Sequence, residues 1–185
     1  MIKWLVSVCA VWLATPAFAV EYNRVEPSAS KIQFTSRQMG VPVEGAFGKF
    51  TAQVSFDPAK PQAARARVEI DMASIDAGSA EANDEVTGKN WFAVKQYPTA
   101  RFESSSFTPL GGNRYQVAGK LTLRNVTREV SAPFTFRDGR FEGRYVIKRL
   151  DFGIGQGVWA DVGTVANEVE VRFNFLASPH PLPSR

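Results

Sequence analysis

Cysteine and histidine are almost missing from this 185-residue chain: Cys9 and His180 are the single instances of each. Cys9 falls in the first 19 residues. There Lys3, the apolar stretch Trp4 to Leu13 and the small-x-small site Ala17-Phe18-Ala19 read as an export signal, cleaved before Val20. Val8 precedes Cys9 after very little apolar sequence, which does not fit a lipid-attachment site. The exported chain, residues 20–185, then has no disulfide even in a compartment that permits one, so its stability must come from a core. Structural zinc sites and histidine-based triads need ligands that are not there. No segment approaches the roughly 20 apolar residues of a membrane-spanning helix. Ser104-Ser105-Ser106 lacks a Gly-x-Ser-x-Gly elbow. Gly153, Gly155 and Gly157 have the wrong spacing for a dinucleotide loop and fit a bend or close backbone approach instead. The net charge of +4 falls by one with Lys3, and its basic residues are interleaved with acidic ones. A nucleic-acid surface clusters them instead.

What the chain does have is alternation. Ala66, Val68, Ile70 and Met72 fall on one side of an extended segment while Arg65, Arg67, Glu69 and Asp71 fall on the other. The same period recurs over 50–56, 115–123, 130–136, 141–147 and 169–175, each a strand with one dry face. Asp57-Pro58, Gly111-Gly112-Asn113 and Asp138-Gly139 punctuate these runs, the last as a two-residue hairpin turn whose residues tolerate positive φ. Asn125-Val126-Thr127 matches a glycosylation sequon but sits between two strand patterns as a turn. One stretch breaks the rhythm: residues 80–94 predict a short helix followed by the bulky pair Trp91-Phe92, stopped at Tyr97-Pro98. The proline-rich residues 178–185 are expected to leave the sheet as a flexible tail.

Closely spaced strands with tight turns predict an all-β, antiparallel barrel of about eight strands in a single domain, 20–177. Such an interior holds either packed side chains or one ligand. A membrane barrel would turn the apolar face to lipid. The helical excursion, the tail and runs shorter than about 9–11 residues argue against that and against stable membrane insertion. Glu81, Asp84 and Glu85 place carboxylates on one helical turn, a spacing open to hydrolytic acid/base work and equally expected at a helix N-terminus. Fourteen phenylalanines, all but Phe18 outside the signal, suit a solid core, as in an interaction module without ligand, and an apolar pocket alike.

The ordered set Gly45-Ala46-Phe47 with Phe50, Phe56-Asp57-Pro58, Ala73-Ser74-Ile75-Asp76-Ala77-Gly78, Trp91-Phe92, Tyr97-Pro98-Thr99-Ala100-Arg101-Phe102, Gly119 to Leu123 with Val126-Thr127, and Arg149 to Gly155 resembles the YceI-like family over nearly the whole exported chain. The resemblance implies a periplasmic, lipocalin-like barrel that is not an enzyme. It implies no cofactor, metal or catalytic residue, and admits a homodimer. Its ligand would be an isoprenoid-type lipid, whether polyprenol, polyprenyl phosphate or quinone, held for transport or storage. The lining is then expected from inward residues: Phe34, Phe50, Phe56, Ile70, Phe102, Leu121, Leu123, Phe134, Tyr145, Phe152, Ile154, Trp159 and Phe173. Trp91 and Phe92 are expected to close one end. One departure stands out: many relatives carry a histidine where this chain has Arg37-Gln38-Met39-Gly40, so a head-group role for that histidine does not transfer.

Overall fold

The structure, a computed structural model, describes residues 20–181. The proposed signal with Cys9, and residues 182–185, lie outside them. Eleven antiparallel strands form one curled sheet: β1 Val20–Val25, β2 Lys31–Gln38, β3 Val41–Phe47, β4 Phe50–Ser55, β5 Arg65–Asp71, β6 Ile75–Asp76, β7 Thr99–Gly111, β8 Arg114–Leu123, β9 Val126–Arg137, β10 Arg140–Lys148 and β11 Glu168–Pro181. The count exceeds eight because three strands are broken. β1 and β2 follow one another along β11, parted by a 3-10 turn at Pro27–Ala29. β3 and β4 are parted at Gly48-Lys49. β5 and β6 are parted by the 3-10 turn Met72–Ser74, where the Asp71 carboxylate accepts from the Ala73 N–H at 3.0 Å. Joined, the pieces make eight strands in sequence order around a ring.

Backbone bonds close that ring. Tyr22 and Phe56 exchange N–H···O bonds of 2.9 and 3.1 Å, tying β1 to the end of β4. Ala46 and Phe47 pair with Asp76 and Ile75 on the β3–β6 side. A closed ring leaves few unpaired edges, which is the physical reason an alternating chain with this many short strands curls at all. The outward faces carry ion pairs, with Glu69 bridging Arg67 and Arg101 at 2.8 Å each. The paired registers put the sequence's dry faces inward on β4, β5, β8, β9, β10 and β11. At Asp138-Gly139 both residues have positive φ, 51° and 80°, as the hairpin required.

The wall parts once. β9 and β10 pair only from Arg137–Arg140 to Phe134–Gly143. Above that, the 3-10 segment Arg149–Phe152 crosses the gap, held by Arg128 Nη2 to the Asp151 carbonyl at 3.3 Å and by Arg124 to the Gly153 carbonyl. The helical excursion is α1, Ala80–Thr87, capped by the Ser79 hydroxyl accepting from the Ala82 N–H at 3.2 Å. Trp91 and Phe92 follow in irregular chain.

The tail expectation is corrected for residues 178–181, which continue β11 and pair with β1 up to Val20–Pro181. Ala177 donates its N–H to Gly139, away from β1. Residues two apart point their N–H the same way, so Pro179 and Pro181 lack a donor only on the side facing away from β1 and break no ladder bond.

Candidate functional site

A cavity of about 540 Å³ runs through the barrel, within the usual range of about 300–1,000 Å³ for small-molecule sites. Its floor is aromatic: Phe56 is fully buried, with ring centroids 4.9 to 6.1 Å from Phe107, Tyr115, Phe134, Phe136 and Phe141. Its other end lies among α1, through Glu81, Ala82, Glu85 and Val86, and the end of the β2–β3 hairpin, through Ser36, Gln38 and Val43. Met39 and Val41 on that hairpin, and Val158 and Val162 on the adjoining loop, are exposed. The two loops are tied by the Met39 N–H to the Thr164 carbonyl at 2.8 Å.

The interior stays hollow because glycines stand where rings need room. Gly45, Gly119 and Gly143 occupy inward positions, and an added Cβ at each would collide with the ring of Phe34, Phe102 or Phe173 respectively. Each ring uses space that a neighbouring side chain would fill and does not have to stand into the lumen. Two of the pairs are in direct register, Phe34 with Gly45 and Phe173 with Gly143. Binary alternation alone would have packed the interior; these omissions are part of what leaves it open.

Of the expected lining, Phe34, Ile70, Trp91, Phe92, Phe102, Leu121, Leu123, Phe134, Tyr145, Ile154, Trp159 and Phe173 lie on the cavity wall. Three do not. Phe56 is sealed inside the aromatic floor. Phe50 packs its ring on Phe175 at 5.7 Å. Phe152 belongs to the 3-10 segment and not to a strand face; it is buried behind the wall with Met72, Ala100, Leu121, Leu123 and Ile154. Phe141, Phe175 and Val171 also line the cavity, and their parity on β10 and β11 made them readable.

Arg149 is the residue sequence reasoning passed over. It is 1% exposed and every one of its five N–H donors is spent on a backbone carbonyl. Nε meets Ala166 at 3.0 Å, Nη1 meets Ile154 and Gly155 at 2.9 and 3.0 Å, and Nη2 meets Trp159 and Val165 at 2.6 and 2.7 Å. Its guanidinium carbon lies 5.6 Å from the centre of the Trp91 ring, which in turn lies 5.6 Å from Trp159. Desolvation lowers its pKa. A Cβ at Gly155, whose φ is +74°, would strike the guanidinium; the glycine run thus allows the close approach that the sequence anticipated. No pattern in the sequence marks it, since all five partners are backbone carbonyls.

Tyr145 shares a rung with Val171, Phe34 and Gly45. It keeps some accessible surface, and that surface belongs to the cavity wall. Desolvation alone pushes its phenol up to about 12, and no hydrogen bond offsets it. Trp91 Nε1 is buried without a partner.

The carboxylates weighed for hydrolysis are exposed on α1. Backbone and Ser79 hydrogen bonds hold the Glu81 carboxyl below its usual range, opposite to what a general acid needs. Among the described residues no group of three or more His, Cys, Asp or Glu side chains is placed to hold a metal. Arg37, in the segment where many relatives carry a histidine, is exposed and donates to the Gly40 carbonyl at 3.2 Å within its own hairpin.

A closed antiparallel barrel around a hollow apolar interior, with one short helix at its open end, defines a lipocalin-like binding fold. The YceI-like domain model matches residues 24–177, and the chain belongs to that family. A crystal structure of Burkholderia cenocepacia BcnA is similar with a TM-score of 0.81 and 46% identity, covering 83% of this chain and 99% of that one. A UPF0312 protein of Azotobacter vinelandii is 33% identical over 138 residues, 69% of each chain. The fold is shared with a polyisoprenoid binding domain from Saccharophagus degradans, at a TM-score of 0.62 and 16% identity over 89% of this chain and all of that one.

Proposed function

We propose that this protein is a non-catalytic carrier of an isoprenoid-type lipid, a polyprenol, polyprenyl phosphate or quinone, that stores or transports it in the periplasm. The hollow apolar barrel carries the reading: a ligand made of hydrocarbon finds there a wall of hydrocarbon and almost no group that demands a polar partner. Membership of the YceI-like family and the fold shared with a polyisoprenoid binding domain support the ligand class. The export signal read over residues 1–19 supports the location. A solid-core interaction module is disfavoured by the cavity itself.

The energetics are workable. Each buried CH₂ contributes about 0.8 kcal/mol, so each five-carbon unit contributes about 4 kcal/mol. Association costs at least about 4 kcal/mol, and a micromolar complex needs about 8 kcal/mol net. Three isoprene units are therefore the least that gives micromolar binding. Native mass spectrometry of protein purified without detergent should show a retained lipid, identified after extraction. Persistent ligand-free protein that also takes up no added polyprenol or quinone overturns the reading.

A further inference from the structure

The charged groups on the cavity wall narrow the ligand. Four charged residues border it: Glu81, Glu85, Arg101, whose side chain joins the outward ion pairs, and Arg149. Neither cation is available to a ligand. Arg101 is engaged by Glu69, through Nε at 2.9 Å and Nη2 at 2.8 Å. Arg149 has no donor left after its five carbonyl bonds. The anions are the exposed Glu81 and Glu85, at the open end. A phosphate entering this cavity would give up water, meet two carboxylates and find no free guanidinium or ammonium on the wall. Taking an anion into a low-dielectric site without a counter-charge is strongly unfavourable.

The remaining polar wall is neutral: Ser36 and Gln38 near the mouth, the indoles of Trp91 and Trp159, and the Tyr145 phenol deeper in. The Tyr145 hydroxyl has no hydrogen-bond partner among the described residues, and the residue keeps accessible surface on the cavity wall, where a ligand acceptor can meet the O–H. One inward rung, Gly143–Phe173, separates Tyr145–Val171 from the Phe141–Phe175 level of the wall, and Val171, Phe173 and Phe175 line this stretch with apolar groups. Trp91 Nε1 also lacks a partner but is buried, which leaves Tyr145 as the accessible donor of this part of the wall; it discriminates by hydrogen bonding while hydrocarbon supplies the affinity.

We infer that the cavity selects an uncharged isoprenoid-type lipid bearing a hydrogen-bond acceptor over the phosphorylated form of the same chain, with Tyr145 as the donor that reads the acceptor. This rests on the carrier reading and sharpens it. Binding of four probes by calorimetry tests it: an isoprenoid quinone, the polyprenol and the polyprenyl phosphate with the same number of isoprene units, and squalene, which has the hydrocarbon and no polar group. The quinone should bind at least about tenfold tighter than the phosphate, and the double variant Glu81→Gln, Glu85→Gln should narrow that gap. Tyr145→Phe should weaken the quinone about fivefold and leave squalene unchanged. Phosphate binding as tight as the quinone, or Tyr145→Phe acting equally on quinone and squalene, overturns the inference while leaving the carrier reading standing. Failure of all four probes overturns the carrier reading, and this one with it.

Discussion

Replacing Arg149 by methionine keeps the length of the side chain and removes all five hydrogen bonds at once. Five carbonyls, from Ile154, Gly155, Trp159, Val165 and Ala166, lose a partner inside a region where the guanidinium is 1% exposed. At about 1 kcal/mol for each orphaned acceptor, the low end of the range, the loss is about 5 kcal/mol. Relief of the buried charge offsets part of it, since the ion's own desolvation costs several kcal/mol. The contact over Trp91 contributes about 1 kcal/mol the other way. The net expectation is a destabilisation of about 3–5 kcal/mol, measured as a lower urea midpoint at unchanged slope and a melting temperature lower by roughly 10 °C. Arg149→Lys offers three donors to five carbonyls and should fall between methionine and the native protein. If the methionine variant stays within about 1 kcal/mol of native, a typical point-mutant effect, the clamp is not holding residues 153–167.

Tyr145 gives a pH signature. A free phenol ionises near 10 and this one near 12, so its contribution to stability is intact below about pH 10 and is lost as pH rises toward 12, by up to about 2–3 kcal/mol. Tyr145→Phe should flatten that part of a pH-resolved melting curve and cost no stability at neutral pH. Gly143→Ala places a Cβ 2.7 Å from the Pro133 carbonyl oxygen and into the Phe173 ring; it should cost about 1–3 kcal/mol and lower lipid capacity, both read from denaturation and ligand uptake. Phe56→Ala removes the centre of the floor and should cost about 3–5 kcal/mol in chemical denaturation, without the selective loss of quinone expected of Tyr145→Phe.

Alternation exposed the barrel because period 2 is local: residues 65–72 announce their two faces without reference to any other strand. The breaks were harder to read. A kink at Met72–Ser74 depends on the Asp71 side chain capping Ala73, and the β1–β2 break falls opposite Phe175 and Leu176, within β11. β7 gave no alternating run, since Glu103-Ser104-Ser105-Ser106 blurs its period and a register shift falls between Ser104 and Ser106; only Phe102 was named from it for the lining. Among site residues, Phe173 and Tyr145 were legible from parity, whereas Phe34 was named only through the family resemblance. Phe50 and Phe56 look the same by parity and by chemistry, and only barrel closure decides that Phe56 meets Tyr22 and becomes floor. Arg149 was invisible for a different reason: its partners are carbonyls, and a carbonyl leaves no mark in a sequence. The prolines misled because their cost depends on which side of a strand the missing N–H faces.

That orientation of Pro179 and Pro181 has a further effect. Beyond Ala177 the side of β11 turned away from β1 has no strand against it among the described residues. A row of free N–H groups there would be a template for another chain. With alternate donors deleted, the stretch offers a newcomer only broken pairing. The protein thus carries its own guard against strand-by-strand aggregation at the point where barrel closure stops protecting it.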